Sequence, residues 1–160
     1  MDSNSFKFES SIPHGRFEGG TLLRASQEKF PALKGLAVQG LHLEPGAVRE
    51  PHSHPNAHQL DYCVRGRARV GIVGPEGHRQ ILDLDEGDIS FVPQGFVHWI
   101  ENTGPNRLHF LVVLSHEEPQ TIELSETLAG VPDDVLAKIL GAGLESLAAF
   151  PKSAVVIGSG

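Results

Sequence analysis

Two histidines one residue apart, His52 and His54, lie in a stretch bounded by Gly46 and Gly66 that also carries His58 and Gln59. Alternate residues of a β-strand share a face, so a strand through this stretch aims two imidazoles at one point in space. A second stretch, residues 87–102, supplies His98. Neutral imidazoles are ligands for divalent Mn, Fe, Co, Ni, Cu or Zn, and three of them leave positions open for water, dioxygen or substrate. Any further donor must arrive from elsewhere, and His58 and Gln59 follow on the next stretch. Gln59 shares a face with Asp61 and Cys63, whereas His58 shares parity with the apolar set Leu60, Tyr62 and Val64. In the Gln59 register Asp61 is the nearest extra carboxylate, a candidate acid or base, and Cys63 is a buried, inert thiol.

The rest of the chain predicts short strands around this pair. Eighteen Gly and eleven Pro are spread between short apolar runs, which points to an all-β domain with many tight turns. Strands are expected at 17–26, 35–43, 47–54, 59–65, 68–73, 78–84, 89–92, 98–102 and 107–114. The alternation in the second of these breaks at Gly40, which predicts a bulge there. Residues 1–16 read as an arm, either disordered or crossing to a partner. After Ser115 the pattern changes: Pro132 followed by two acids starts a helix that Gly141 stops, and a second short helix covers about 144–150. The expected organisation is an arm at 1–16, a barrel at 17–115, and a helical cap and tail at 116–160.

Charge and length exclude several functions. A length of 160 residues is one ordinary domain. With 13 basic and 20 acidic residues the formal charge is −7, which argues against nucleic acid or an anionic membrane as partner. The lone Cys63 and the absence of an apolar run near the N-terminus predict a cytoplasmic protein.

Written as spacings, the first motif is Gly46, five residues, His52, one, His54, four, Gln59, six, Gly66; the second is Gly87, five, Pro93, one, Gly95, two, His98, three, Asn102. Together they resemble the two signature motifs of the cupin family, with Gln59 standing where that family has Glu. The resemblance implies a double-stranded β-helix (jelly-roll) barrel with an N-terminal arm and short C-terminal helices. It also implies one divalent transition metal, Mn or Fe, held by His52, His54, His98 and Gln59 or, as in four-His cupins, His58. With a neutral amide where the family has a carboxylate, chemistry that leans on a trivalent metal is disfavoured.

The run from Pro45 to His54 further resembles one half of the two-domain oxalate decarboxylases, and the chain is similar to germin-like proteins; the similarity covers roughly residues 17–141. It implies that Arg49, three residues before the first His, clamps a substrate carboxylate, for which a guanidinium fork is suited. Three departures accompany it: Gln59 for Glu, Ser53 for the usual Trp between the histidines, and a shorter stretch in place of the Ser-Glu-Asn-Ser lid, where Glu118 or Glu117 stands in for the lid acid. The first functional expectation is therefore a metal-dependent lyase acting on a small carboxylate, with Arg49, Asp61 and Glu118 as catalytic candidates. The second is a dioxygenase whose larger pocket is lined by Phe91, Phe96, Trp99 and Phe110. The third is a non-catalytic metal or small-ligand binding module. A homodimer is expected in each case.

Overall fold

The computed structural model describes residues 3–160. Two antiparallel sheets face each other around a common core. The first contains β1 (Gly15–Phe17), β2 (Gly20–Ala25), β3 (Ala37–Leu43), β5 (Gln59–Arg65), β8 (Ile89–Val92) and β10 (Leu108–Leu114), in the order β1-β2-β3-β10-β5-β8. The second contains β4 (Val48–Ser53), β6 (Arg67–Val73), β7 (Arg79–Asp85), β9 (Val97–Asn102) and β11 (Ile122–Glu123), in the order β11-β4-β9-β6-β7. The fold is the mostly-β jelly-roll that the resemblance implies.

The strands alternate as half-buried strands do. On β10, Leu108, Phe110, Val112 and Leu114 point inward and pack with Leu41, Leu43, Val70 and Ile100; each such burial contributes about 1.5–3 kcal/mol. Gly66 joins β5 to β6 at φ 106°, a conformation that L side chains rarely adopt, while a Cβ there would press within 3.3 Å of the Leu108 backbone.

The expected bulge at Gly40 is not there. The ladders of β3 with β2 and with β10 run through Gly40 without a shift, and Ala37, Gln39, Leu41 and Leu43 form a regular inward set. Gly40 lies on the outer face, where a Cβ would meet the Phe8 ring at 3.0 Å. Register shifts lie on β4 and β5 instead: between the pairs Arg49 with Ile100 and His52 with His98, Glu50 and Pro51 stand against Trp99 alone, and β5 shifts against β10 between Cys63 and Arg65. Pro51 falls within the shifted segment of β4, and without an N–H it makes no ladder bond.

The described residues of the N-terminal arm pack against the chain's own barrel. Phe8 covers Gly40, and Phe6 stacks on Phe30 with centroids 5.5 Å apart. The C-terminal region carries α1 (Leu124–Gly130), which the pattern did not suggest, then α2 (Asp133–Leu140), stopped by Gly141 in the left-handed region, and α3 (Leu144–Leu147). The tail returns as β12 (Ile157–Gly158), pairing with β4. No helix among the described residues is long and apolar enough to cross a membrane.

Candidate metal centre

β4 and β9 bring His52 and His98 directly opposite each other, and His54 follows at the end of β4. All three are buried, and their ligand nitrogens lie within 4.8 Å of one another. Each ring is fixed by a main-chain carbonyl on its Nδ1 side: Glu50 O for His52 at 2.7 Å, Gln120 O for His54 at 2.7 Å, and Phe96 O for His98 at 3.1 Å. A carbonyl only accepts, so Nδ1 carries the proton and Nε2 presents its lone pair to the centre. Burial lowers all three imidazole pKa values, His52 well below the ordinary 6.5 and His98 to about 3, with Arg49 acting in the same direction on all three and neighbouring rings on His52 and His98. The donors are therefore neutral, the form that ligates. His54 Nε2 is buried without a hydrogen-bond partner. An orphan lone pair among three convergent imidazoles fits a metal ion.

Gln59 faces this centre from β5. Its Nε2 donates to Asp61 Oδ1 at 2.7 Å, which leaves Oε1 directed at His98 Nε2, 3.1 Å away. Asp61 in turn accepts from Ser90 Oγ at 2.7 Å. Burial raises the Asp61 carboxyl from 3.8 to about 7, against the pull of those two hydrogen bonds. Cys63 continues the inward set, its thiol pushed up to about 11 chiefly by burial.

The structure separates other sequence candidates from the centre. His58 lies on the outer surface, where its Nδ1 accepts from Gln94 N at 3.0 Å and its ring stacks on Phe91. The β5 register that turns Gln59 inward turns His58 away. Glu118 bonds Glu28 N at 2.8 Å and Arg24 at 3.4 Å, and Glu117 bonds Gly35 N. Both acids pin the 26–35 loop and neither reaches the histidines. Their loop is itself strapped down by Asn56, which donates to Glu118 O and accepts from Gln120 N. The four aromatics do not line one pocket: Phe91 is exposed, Trp99 lies over Gly71 on the outer face, Phe96 lines a separate cleft, and Phe110 is core.

Arg49 is buried and already engaged. Its guanidinium forks onto Glu123 at 2.6 and 2.7 Å and donates to Val156 O at 3.0 Å. Burial pushes the Glu123 carboxyl up, against the attraction of Arg49. Neighbouring Glu50 accepts from Ser125 N and Oγ and from the backbone N–H groups of Val155 and Val156. Arg49 and Glu50 thus fasten α1 and the tail to the barrel. Sequence spacing missed Glu123 and Glu50 as partners because their contacts span 74 to 106 residues; the adjacent opposite charges of Arg49 and Glu50 beside a metal motif were the available sign.

Arg49, His52, Gln59 and Gln39 line a void of about 10 Å³, close to the volume of one water probe. Arg49 and Gln39 also line a cavity of about 320 Å³ shared with Arg24, Thr121 and Glu123. Arg49 therefore stands between the centre and the nearest roomy space. A larger cleft of about 630 Å³ lies at the far end of β5, against Arg65, Arg67, Asp85 and Arg107, away from the histidines.

Comparison with known proteins agrees with this geometry. The family model described as Cupin matches residues 7–146. The chain is 32% identical over 126 residues to the oxalate decarboxylase OxdC of Bacillus subtilis (strain 168), covering 79% of this chain and 33% of that protein. It is 33% identical over 126 residues to germin-like protein 3-7 of Oryza sativa subsp. japonica, covering 75% and 54% respectively. A solved structure of the Bacillus subtilis oxalate decarboxylase, concerned with its Mn(II) centres, superimposes with a TM-score of 0.91 at 28% identity, over 97% of this chain and 41% of that one. The chain thus spans between a third and about half of these curated relatives.

Proposed function

The chain belongs to the cupin family, and from that premise we propose that it is a metal-dependent enzyme acting on a small organic acid, of the oxalate-decarboxylase type. The observation that carries the reading is the set of three neutral, carbonyl-anchored imidazoles whose Nε2 atoms converge, one of them unpartnered. His52, His54 and His98 are the ligands and Gln59 the fourth donor, with Mn or Fe as the metal; the Mn(II) centres of the oxalate decarboxylase relative support Mn. A bound divalent ion supplies a Lewis acid and a template for substrate oxygen atoms.

The protein's own residues supply the rest. Asp61 holds the Gln59 amide so that its carbonyl oxygen faces the centre. With its carboxyl pushed up to about 7, Asp61 also stores a proton at Oδ2, where the Ser90 hydroxyl can accept it, while Oδ1 keeps the hydrogen bond from the Gln59 amide. Arg49 meets a substrate carboxylate by exchanging it for Glu123, whose fork it already holds in the geometry a carboxylate requires. Glu118 takes no part while it is bound to Glu28 and Arg24. The outward residues Leu60, Tyr62, Ile89 and Phe91, paired across β5 and β8, form an exposed apolar face that supports a homodimer.

The neutral donor at position 59 favours one second reading, a dioxygenase with a wholly uncharged ligand set. One experiment addresses both. Metal-loaded protein is incubated with oxalate and a panel of small carboxylates while carbon dioxide and dissolved oxygen are followed. Metal-dependent carbon dioxide release without matching oxygen consumption, abolished in His98→Ala, is expected. Stoichiometric oxygen uptake would replace the lyase by the dioxygenase, and failure to retain metal would remove both in favour of a binding module.

A further inference from the structure

Among the described residues, the buried side-chain nitrogen and oxygen atoms without a hydrogen-bond partner are two, and both are histidine Nε2 atoms. One belongs to His54. The other belongs to His42, on the opposite side of the first sheet, where the centre described above plays no part. His42 and His109 lie directly opposite each other on β3 and β10, with ring centroids 4.4 Å apart. The arm lays Glu9 over them. Its Oε2 is 3.3 Å from His42 Nε2, and its Oε1 is 3.1 Å from His109 Nε2.

We propose that Glu9, His42 and His109 form a second metal site, selective for a divalent transition ion of the zinc type, which fastens the arm to the barrel. The three ligand atoms lie within 4.8 Å of one another. Ligands about 2.1 Å from a tetrahedral ion are separated by about 3.4 Å, close to both nitrogen–oxygen distances here. The His42 contact is at that separation without the alignment of a hydrogen bond, which is how two ligands of one ion meet. Two imidazoles and one carboxylate suit Zn, Co, Ni or Cu and not the hard ions Mg and Ca, which take oxygen donors. Arg65 pairs with His109 on the neighbouring strand, and Arg107 is held by Glu44 at 3.2 Å; their positive charge further disfavours an ion bound by charge alone. The side chains of His42, His109 and Glu9 are 20%, 22% and 54% exposed, so solvent reaches the site to complete the coordination. The arm's other attachments lie on both sides of Glu9 in sequence: Phe6 on Phe30 and Phe8 on Gly40 before it, and the bond from His14 N to Leu22 O and the pairing of β1 with β2 after it.

Full-length protein is dialysed against Zn(II), and bound zinc is measured by elemental mass spectrometry for the wild type, Glu9→Gln, His42→Gln and His109→Gln. Each variant is expected to hold one zinc fewer than the wild type. Glu9→Gln lies on the arm, outside the strands, so its result stands even where a strand variant fails to fold. Trypsin cleavage after the exposed Lys7 gives an independent reading: Zn(II) is expected to slow it at least fivefold in the wild type and not in Glu9→Gln. Equal zinc content in the wild type and Glu9→Gln, or cleavage indifferent to zinc, overturns the site. The barrel centre is separately titrated with His98→Ala, so its failure is not confused with this one.

Discussion

The two histidine clusters are built from the same materials and differ in what holds them. In the barrel, three rings come from two neighbouring strands of one sheet, each tied through Nδ1 to a main-chain carbonyl, and all three are buried. On the outer face, two rings come from paired strands, the third donor comes from the arm, and all three side chains are partly exposed. The inner donors are aimed before any ligand arrives, because the same fold that buries the core also places the carbonyls. The outer donors meet only when the arm is down. Burial is what separates an arrangement the fold maintains from one that a ligand completes.

That contrast breaks most visibly on ligand removal. His98→Gln is expected to lower metal retention at the barrel centre by about 100-fold or more, beyond the 10–100-fold seen when only a supporting partner is lost, as measured by elemental mass spectrometry after dialysis against a weak chelator. A variant that keeps its metal would show that the centre is not a ligand set.

Two carboxylates test the effect of burial next. Glu123→Gln leaves the Arg49 guanidinium buried without its counter-charge, at an expected cost of about 3–5 kcal/mol. Glu9→Gln, on an exposed group, is expected to change the stability of metal-free protein by less than about 0.5 kcal/mol. Urea denaturation of both compares them, and equal costs would erase the distinction.

Asp61 sharpens it through pH. The folded carboxyl titrates at about 7 and the unfolded one near 3.8, so between these values the native state binds more protons. The Asp61 contribution therefore weakens as pH rises from about 4 to 7, by roughly 4 kcal/mol at about 1.4 kcal/mol per pH unit. The buried histidines act in the opposite sense: unfolded imidazoles bind protons below about 6.5 while the native ones stay neutral, so their contribution is lost as pH falls. Comparing metal-stripped wild type with Asp61→Asn at each pH cancels the histidine part. Asp61→Asn is expected to gain on the wild type from about pH 4 to about pH 7 and to level off above that, and a constant difference would contradict the buried acid. The smallest effect belongs to His58→Ala, expected to leave metal content unchanged and stability within about 0.5 kcal/mol.

The spacing of His52, His54 and His98 made the centre legible, because strand alternation and two glycine-bounded motifs fix where the rings go. The β5 register was harder. Its apolar residues Leu60 and Tyr62 are exposed and its polar Gln59 and Asp61 are buried, the reverse of ordinary patterning, since His98 and Ser90 satisfy the inner polar groups and the outer face is a smooth apolar surface. The break at Gly40 suggested a bulge that the continuous ladders exclude. Glu123 as the Arg49 partner and the Glu9, His42 and His109 grouping depend on contacts between distant segments, for which no spacing exists. The first helix after the barrel, α1, begins without a capping side chain, so it left no start signal.

The shifted pairing on β4 has a consequence for counting. In a regular strand, residues three apart point to opposite faces, so Arg49 and His52 would lie on different sides of the sheet. The extra residue at 50–51 resets the phase, and the guanidinium and the imidazole share the interior. The distance in sequence between the cation and the first histidine is therefore an odd number by necessity. Removing one residue from this segment restores regular alternation with Arg49 two positions before His52, so both stay inside and only the bulge is lost, whereas removing two turns everything before the deletion inside out.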